Sequence, residues 1–168
     1  MYTWEGIHLS DVVYIEGKVT DPDKNRLYTA ENVLNFLILE LVGPMRIYDC
    51  QLYADSIVRS KWWQYRSSLR GVTIAEARKN AVESTSSYPD GIITLVEEHC
   101  TKLTICHELT HLIVYEKYEP GHGRKFCQTY LQMVRRFIGP VFAQALAREY
   151  SNYNVKWYRL KGGQNGTG

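Results

Sequence analysis

The sequence has no two cysteines at the C-x-x-C spacing that a zinc ribbon needs. Its four cysteines are scattered along the chain, at Cys50, Cys100, Cys106 and Cys127. Isolated cysteines of this kind are typical of buried free thiols in a reducing compartment. We therefore expect no zinc site built from paired thiolates.

Long apolar runs are also missing from the chain. The longest candidate, residues 33–42, is interrupted by Asn35 and Glu40, so no segment predicts a membrane-spanning helix. The first residues lack the basic and apolar regions of a signal peptide. We expect a cytoplasmic protein without a membrane partner.

Strong net charge is absent as well, because the whole chain carries only +2. The charge is nevertheless uneven: residues 1–55 hold nine acidic and four basic residues, whereas residues 58–79 hold six basic residues and one acidic residue. The basic stretch also contains Trp62, Trp63 and Tyr65. Cations interleaved with aromatic rings are typical of single-stranded nucleic-acid surfaces, and the alternative is a solvated face whose tryptophans belong to the core.

The size and composition predict one globular domain. The chain has 168 residues, of which 45% are hydrophobic and 23% charged. No internal repeat or shift in composition indicates a second domain. We place the domain at residues 1–161, followed by a glycine-rich flexible tail at 162–168.

The first half of the chain predicts a helix and a few strands. A turn at residues 21–23 is followed by Thr29 as the N-cap of a helix over 30–42, which ends at Gly43. Residues 46–52 predict a short strand, and residues 56–69 predict a helix or an irregular stretch. Strands are predicted at 72–77 and 92–96, with a turn at 86–91 and a hairpin that links the two strands.

The second half is more clearly helical. Helices are predicted over residues 102–118, 123–138 and 139–150, and Pro140 occupies the first position of the last helix. One helix, a few strands and then three helices indicate an α+β fold with a small mixed or antiparallel sheet packed on helices.

Residues 107–111 form an H-E-x-x-H motif. Positions i and i+4 share one face of a helix, so His107 and His111 can both direct imidazole nitrogens at one metal ion. A bound Zn²⁺ lowers the pKa of its water, and the carboxylate of Glu108 can then take a proton from that water. The apolar residues around the motif would bury the opposite face of the helix. They are Leu103, Ile105, Leu109, Leu112 and Ile113.

The third ligand is expected to be another histidine or a carboxylate. His122 follows His111 by eleven positions and lies between two glycines that allow a sharp turn. Glu116 and Glu119 are alternative third ligands. The two remaining histidines, His8 and His99, have no partner in sequence and are expected to be surface or capping residues. Three protein ligands would leave an open coordination position, which is typical of a catalytic site.

These residues resemble the pattern of SprT-like zinc metalloproteases, in which H-E-x-x-H is followed by H-G-x-x-F. Here the second element is H-G-R-K-F at residues 122–126. The chain is more closely similar to a family of predicted metallohydrolases from actinobacteria and their phages, and a phage-encoded member would act in the host cytoplasm. The match covers residues 91–150 well, and residues 1–90 follow it only in loose order.

The resemblance implies a zincin-like minimal metalloprotease domain that binds one Zn²⁺ and hydrolyses proteins or peptides. By this resemblance His107, His111 and His122 are the zinc ligands and Glu108 is the general base. The predicted strand at 92–96 would be an edge strand that binds an extended peptide by backbone pairing. Its substrate-binding residues would be Ile92, Ile93, Thr94 and Leu95.

Two other hypotheses remain open at this point. In one, the chain is a nucleic-acid-associated module, or a protease recruited to DNA, that uses the basic aromatic residues 59–79, with zinc structural or vestigial. In the other, the chain is a structural or interaction protein in which a protein side chain blocks the open coordination position. Glu108 argues against this last hypothesis, because a purely structural site needs no base.

Overall fold

The structure is a computed structural model and describes residue 21 and residues 23–117 and 121–157. These residues form six α-helices and one three-stranded mixed sheet. In chain order they are α1 (Lys24–Val42), α2 (Ile47–Val58), α3 (Lys61–Gln64), β1 (Thr73–Glu76), β2 (Thr85–Ser87), β3 (Ile92–Leu95), α4 (Lys102–Lys117), α5 (Arg124–Phe137) and α6 (Pro140–Asn152). The α+β class is confirmed, whereas the zincin-like architecture and the domain bounds stay predictions.

Helix α1 begins earlier than the sequence predicts, and Thr29 is not its N-cap. Thr29 lies inside the helix, where its hydroxyl donates to the carbonyl oxygen of Asn25 at 2.7 Å. The carboxylate of Asp21 instead accepts the backbone N–H groups of Asp23 and Lys24, at 3.2 and 3.1 Å. The prediction failed because this carboxylate, two residues before the N-cap Asp23, accepts N–H groups at the start of the helix that an N-cap side chain normally takes.

The residues after α1 are helical rather than extended. The predicted end of α1 is confirmed at Val42, and Gly43 follows with a φ of +70°. The predicted strand over 46–52 is wrong, because these residues belong to α2. The buried side chains of α2 recur at helical spacing, at Cys50, Ala54, Ile57 and Val58. The stretch 56–69 contains the end of α2, the single turn of α3 and irregular chain.

The sheet has the order β1-β3-β2. Strand β3 is parallel to β1 and antiparallel to β2. The two predicted strands are confirmed as β1 and β3, but the hairpin that was to link them is wrong, because parallel strands need a crossover connection. The hairpin joins β2 to β3 instead. Its turn ends at Gly91, which has a φ of +67° and where an added Cβ would lie 3.1 Å from the carbonyl oxygen of Gly71.

The sheet order also overturns the prediction that residues 92–96 form an edge strand. Both sides of β3 are used for backbone pairing, since β1 lies on one side and β2 on the other. A substrate peptide therefore has no free backbone edge on this strand. The residues that lose this predicted pairing role are Ile92, Ile93, Thr94 and Leu95.

The three C-terminal helices are confirmed as α4, α5 and α6. Helix α4 lies in the centre of the fold and packs against α1, α2, α5 and β2. Leu103 and all residues from 105 to 114 are buried, so this helix has no solvated face over nearly three turns. A helix held on all sides by core contacts gives the side chains that it carries fixed positions.

Two further predictions concern the cysteines and the ends of the chain. All four cysteines are buried and free, as predicted. No helix within the described ranges is long and apolar enough to cross a membrane. The predicted tail at 162–168 lies outside the described residues, and so do Pro22, Tyr118 and the first twenty positions.

Candidate metal centre

Helix α4 places His107 and His111 side by side at the centre of the fold. Their Nε2 atoms are 3.1 Å apart, and their residues are only 4% and 1% exposed. This proximity follows from the i, i+4 spacing, because both side chains leave the same face of the helix on successive turns. Two imidazole nitrogens are thus brought to one point inside the protein.

The turn before α5 brings His122 to the same point. Its Nε2 atom lies 3.3 Å from that of His107, and the residue is 1% exposed. Gly121, which precedes it, has a φ of +106°, and an added Cβ would lie 3.3 Å from the carboxylate of Asp21. Ligand nitrogens of the three histidines all lie within 4.8 Å of one another, so the cluster could hold a metal ion.

Two carboxylates fix the orientation of the imidazoles from the side of α1. Glu31 lies 2.8 Å from the Nδ1 atom of His107, and Asp21 lies 2.7 Å from that of His122. Asp21 also accepts the backbone N–H of His122 at 2.9 Å. A carboxylate accepts hydrogen bonds, so both Nδ1 atoms carry a proton, and in the neutral form of each ring the Nε2 atom presents a lone pair.

This arrangement fits a bound cation. Two Nε2 lone pairs that face each other at 3.3 Å repel unless a positive charge lies between them. A tetrahedral zinc ion with Zn–N distances of about 2.0–2.1 Å would separate its ligand nitrogens by roughly 3.3–3.4 Å. The observed separations of 3.1 and 3.3 Å are close to that value.

The electrostatics of the cluster favour the neutral form of His111 and His122. Burial, and then the charges of His122 and His107, lower the pKa of His111 well below its ordinary value. Burial also lowers the pKa of His122, although hydrogen bonding to Asp21 opposes this shift. Burial alone would raise the pKa of Asp21, but its interactions with His122 outweigh burial and lower it. Neutral imidazole is the form that binds metal ions, so the lowered pKa values of His111 and His122 favour metal binding.

Aromatic rings enclose the histidines. The ring of Phe126, on the first turn of α5, lies 4.9, 4.5 and 4.8 Å from the ring centroids of His107, His111 and His122. Phe126 is the last residue of the H-G-x-x-F element, and it is 1% exposed. Its contacts give this position a physical role, because one apolar ring restricts all three imidazoles at once.

Two more polar side chains belong to this region. Glu108, next to His107 in α4, is 6% exposed. The hydroxyl of Tyr28, on α1, lies 3.4 Å from the Nε2 atom of His107 and 3.3 Å from that of His122. The contacts in this region thus join three histidines from α4 and the following turn to Tyr28 and Glu31 of α1 and to Asp21 just before it.

Of the two alternative ligands, Glu116 is engaged elsewhere. Glu116 accepts hydrogen bonds from the hydroxyl of Ser67 at 2.8 Å and from the backbone N–H of Ser68 at 2.8 and 2.9 Å. His99 lies in a 3-10 turn before α4 and is outside the cluster. Glu119 and His8 lie outside the described residues.

Sequence reasoning missed Asp21, Tyr28 and Glu31. These residues precede the motif by 76 or more positions, and no local pattern links them to it. One signal was available in α1, because Glu31 shares a helix face with Leu27 and Leu34, both of which are buried. A carboxylate on an apolar face is buried only when it has a partner, so this position indicates a functional or structural ion pair.

A scan against protein-family models and searches of curated proteins and of solved structures found no match. The resemblance to SprT-like metalloproteases therefore rests on the motif residues alone. What the structure adds is the buried cluster of His107, His111 and His122, which could hold a metal ion.

Proposed function

We propose that this chain is a zinc-dependent hydrolase of zincin-like fold, and that its substrates are proteins or peptides. The observation that supports this proposal is the convergence of three buried imidazoles from an H-E-x-x-H helix and the turn that follows it. Two of these imidazoles are oriented by buried or half-buried carboxylates. Such carboxylate–histidine pairs are the usual outer shell of zinc sites.

The set of donor atoms favours zinc among the divalent ions. Imidazole nitrogens suit zinc, copper, nickel and iron, and three neutral donors in a compact arrangement suit tetrahedral zinc. Zinc bound at such a site supplies a Lewis acid that polarises a substrate carbonyl and makes water more acidic.

Glu108 is the proposed general base. It is adjacent to the ligand His107 on a helix whose position is fixed by the core, and it is 6% exposed. In an H-E-x-x-H site, the carboxylate takes a proton from the attacking water and passes it to the leaving amine. Its burial strengthens these steps, because charge interactions are less screened away from water.

Strand β2 is the better candidate for peptide binding now that β3 is known to be central. In the described part of the sheet β1 and β2 are the edges, and β2 packs against α4 whereas β1 packs against α2. An extended peptide that paired with the outer side of β2 would run beside the helix that carries the motif. Backbone pairing accepts many sequences, which suits a peptidase.

The first test is the metal content of protein purified without added metal, measured by elemental analysis. We expect about one zinc per chain, as a three-histidine site binds tightly, and much less in His122→Ala. His99→Ala is the matched control, because this histidine lies outside the cluster, and it should keep its zinc. Absence of metal from the wild type, or equal zinc in all three proteins, would contradict the proposed site.

The second test separates metal binding from hydrolysis. Glu108→Gln should retain zinc and lose hydrolysis of an unstructured protein such as casein, because glutamine cannot take up the proton. Hydrolysis that persists in this variant would rule out Glu108 as the base. Zinc binding without hydrolysis in the wild type would favour the structural alternative.

A second candidate function rests on a groove on the surface. The groove has a volume of about 380 Å³ and is lined by Trp62, Arg66, Gln132, Arg135 and Arg136. None of its three arginines forms an ion pair with any residue that the structure describes. Guanidinium groups that have no ion-pair partner around one groove favour a polyanion as the ligand. Because Trp62 and Arg66 of this groove belong to the basic aromatic residues 59–79, we propose that the polyanion is single-stranded nucleic acid.

The aromatic residues of the basic stretch divide between the core and the surface. Trp63 is fully buried, and its indole N–H donates to the carbonyl oxygen of Leu69 at 2.8 Å. Trp62 lies beneath the guanidinium of Arg66, at 4.1 Å. Only Tyr65, which is 81% exposed, presents a large free aromatic surface to a base. Phosphate contacts rather than stacking would therefore supply most of the affinity.

The test of this candidate is fluorescence anisotropy with a labelled oligo-dT at low and at raised salt. Binding should fall with salt, because phosphate contacts release counterions. It should also weaken in the double variant Arg135→Ala/Arg136→Ala but not in Arg26→Ala, an exposed arginine on α1. Absence of binding at low salt would remove the candidate and leave the hydrolase proposal untouched.

A further inference from the structure

Among the described residues, the hydroxyl of Tyr28 lies next to the Nε2 atoms of two of the three clustered histidines. Its hydroxyl oxygen is 3.4 Å from Nε2 of His107 and 3.3 Å from Nε2 of His122. Its ring stacks on His107, with centroids 5.4 Å apart and an interplanar angle of 26°, and contacts His122 edge-on at 5.2 Å. The hydroxyl is therefore held at the point where the imidazole lone pairs meet.

Hydrogen bonding to the two imidazoles does not account for both of these contacts. In the neutral, metal-binding form of the two rings both Nε2 atoms are acceptors, because the Nδ1 atoms donate to Glu31 and Asp21. One hydroxyl has one proton and can donate to only one of the two nitrogens, so the other contact sets lone pairs against each other. Both distances also exceed the roughly 2.7–3.0 Å that is usual for a hydroxyl donor.

The same distances fit a ligand of a tetrahedral ion. Ligand atoms about 2.0–2.1 Å from zinc are roughly 3.3–3.4 Å apart. The hydroxyl oxygen is 3.4 and 3.3 Å from two ligand nitrogens, which are 3.3 Å from each other. These three atoms thus form one triangular face of such a tetrahedron, with Nε2 of His111 3.1 Å from that of His107.

We propose that the hydroxyl oxygen of Tyr28 is the fourth protein ligand of the metal and closes its coordination in the resting state. Substrate or water then reaches the metal only by displacing Tyr28 or by adding a fifth ligand. The proposal depends on the metal site of the proposed function but not on hydrolysis. The proposal combines the hydrolase hypothesis with the hypothesis of a blocked coordination position. Tyr28 would block the position in the resting state, while Glu108 remains available as the base.

The experiment uses the full chain loaded with Co²⁺, whose visible absorption reports the number and type of ligands. Azide serves as a small probe of an open coordination position. We expect the spectrum of the wild type to be that of a four-coordinate ion and to resist azide. The spectrum of Tyr28→Phe should shift and should respond to azide. Tyr65→Phe is the matched control, because it removes the same hydroxyl from an exposed ring, and it should behave as the wild type.

Two results would overturn the proposal. One is an identical spectrum and azide response in the wild type and in Tyr28→Phe. The other is ready binding of azide to the wild type, which decides the question even if Tyr28→Phe does not fold. Phenylalanine keeps the ring that stacks on His107, so we expect the variant to fold. A closed, azide-resistant wild type that hydrolyses no protein would uphold the role of Tyr28 while the proposed function fails.

Discussion

Replacement of Glu31 with glutamine isolates the contribution of one buried carboxylate to metal binding. Glu31 is 3% exposed and holds the Nδ1 proton of His107 at 2.8 Å. Loss of an outer-shell partner of a metal-bound histidine costs about 10–100-fold in metal affinity, or roughly 1.4–2.8 kcal/mol. Glutamine keeps the length of the side chain and one acceptor oxygen but loses the charge, so we expect a loss of about tenfold, the lower end of that range.

Glu31→Leu should cause the larger loss. Leucine removes the acceptor entirely and leaves the Nδ1–H of His107 without its partner in a region from which water is excluded. We expect a decrease in affinity of about a hundredfold for this variant, the upper end of the range for outer-shell partners. If zinc affinity falls in the order wild type, Glu31→Gln, Glu31→Leu, loss of the acceptor oxygen costs more than loss of the charge. Glu31 then acts by orienting the imidazole of His107 and not only through its negative charge.

The assay is competition for zinc between the protein and a chromophoric chelator near neutral pH. Glu40→Gln is the matched control, since Glu40 lies on the same helix but is exposed. Far-UV circular dichroism establishes that each variant is folded. Equal zinc affinity in Glu40→Gln, Glu31→Gln and Glu31→Leu would refute the reasoning, because it would mean that the hydrogen bond to His107 does not support metal binding.

Three further predictions concern stability. Gly121→Ala should lower the free energy of unfolding by about 1–3 kcal/mol, because its φ of +106° strains any side chain. Gly123→Ala, at the N-cap of α5 with a φ of −65° and open space around it, should cost less than about 1 kcal/mol, because alanine is a poorer N-cap than glycine but is not strained there. Urea denaturation measures both, and equal effects would contradict the explanation. Trp63→Ala should cost about 3–5 kcal/mol by removing a fully buried ring, whereas Tyr65→Ala should change stability by no more than about 0.5 kcal/mol. Metal-free protein should lose stability below about pH 6.5, because the pKa of buried His111 is lowered and the unfolded chain binds more protons in that range. The free energy of unfolding should therefore be lower at about pH 5.5 than at about pH 7.5. A free energy of unfolding that does not change with pH would contradict this prediction.

The second half of the fold could be predicted because its signals are local. The i, i+4 histidines, the apolar residues around them and Pro140 at the start of α6 each act within one or two turns of a helix. His122 could be predicted for the same reason, since it follows the motif closely and lies beside a glycine that needs a positive φ. Local signals were therefore enough to bring together the three histidines of the cluster.

The first half was harder because contacts distant in sequence decide its structure. Residues 46–52 contain Ile47 and Tyr48, which favour a strand, but the spacing of buried residues in α2 packs them as a helix against α4 and β1. The parallel pairing of β1 with β3 was missed because the turn predicted at 86–91 indicates a hairpin but does not show that the short β2, rather than β1, is its first strand. Propensity alone could not give either result.

The residues of α1 and its start that contact the clustered histidines were missed for a related reason. Placing the start of α1 at residue 30 left Asp21 and Tyr28 outside any element, so nothing indicated that they share a helix with Glu31 or cap it. Their partners are His107 and His122, at least 76 positions away. A pattern within one helix marks a buried carboxylate, but it does not identify the group that the carboxylate contacts.

The attachment of α1 to the histidines has a consequence for local unfolding. Asp21 and His122 are 101 positions apart, and Glu31 and His107 are 76 positions apart, so the cluster joins two distant parts of the chain. Helix α1 cannot detach without breaking these contacts, and an ion bound to the histidines makes the detached state less accessible. Local opening of α1 then becomes part of the global unfolding transition. Metal binding should therefore slow amide hydrogen exchange in α1, a helix that holds none of the three histidines.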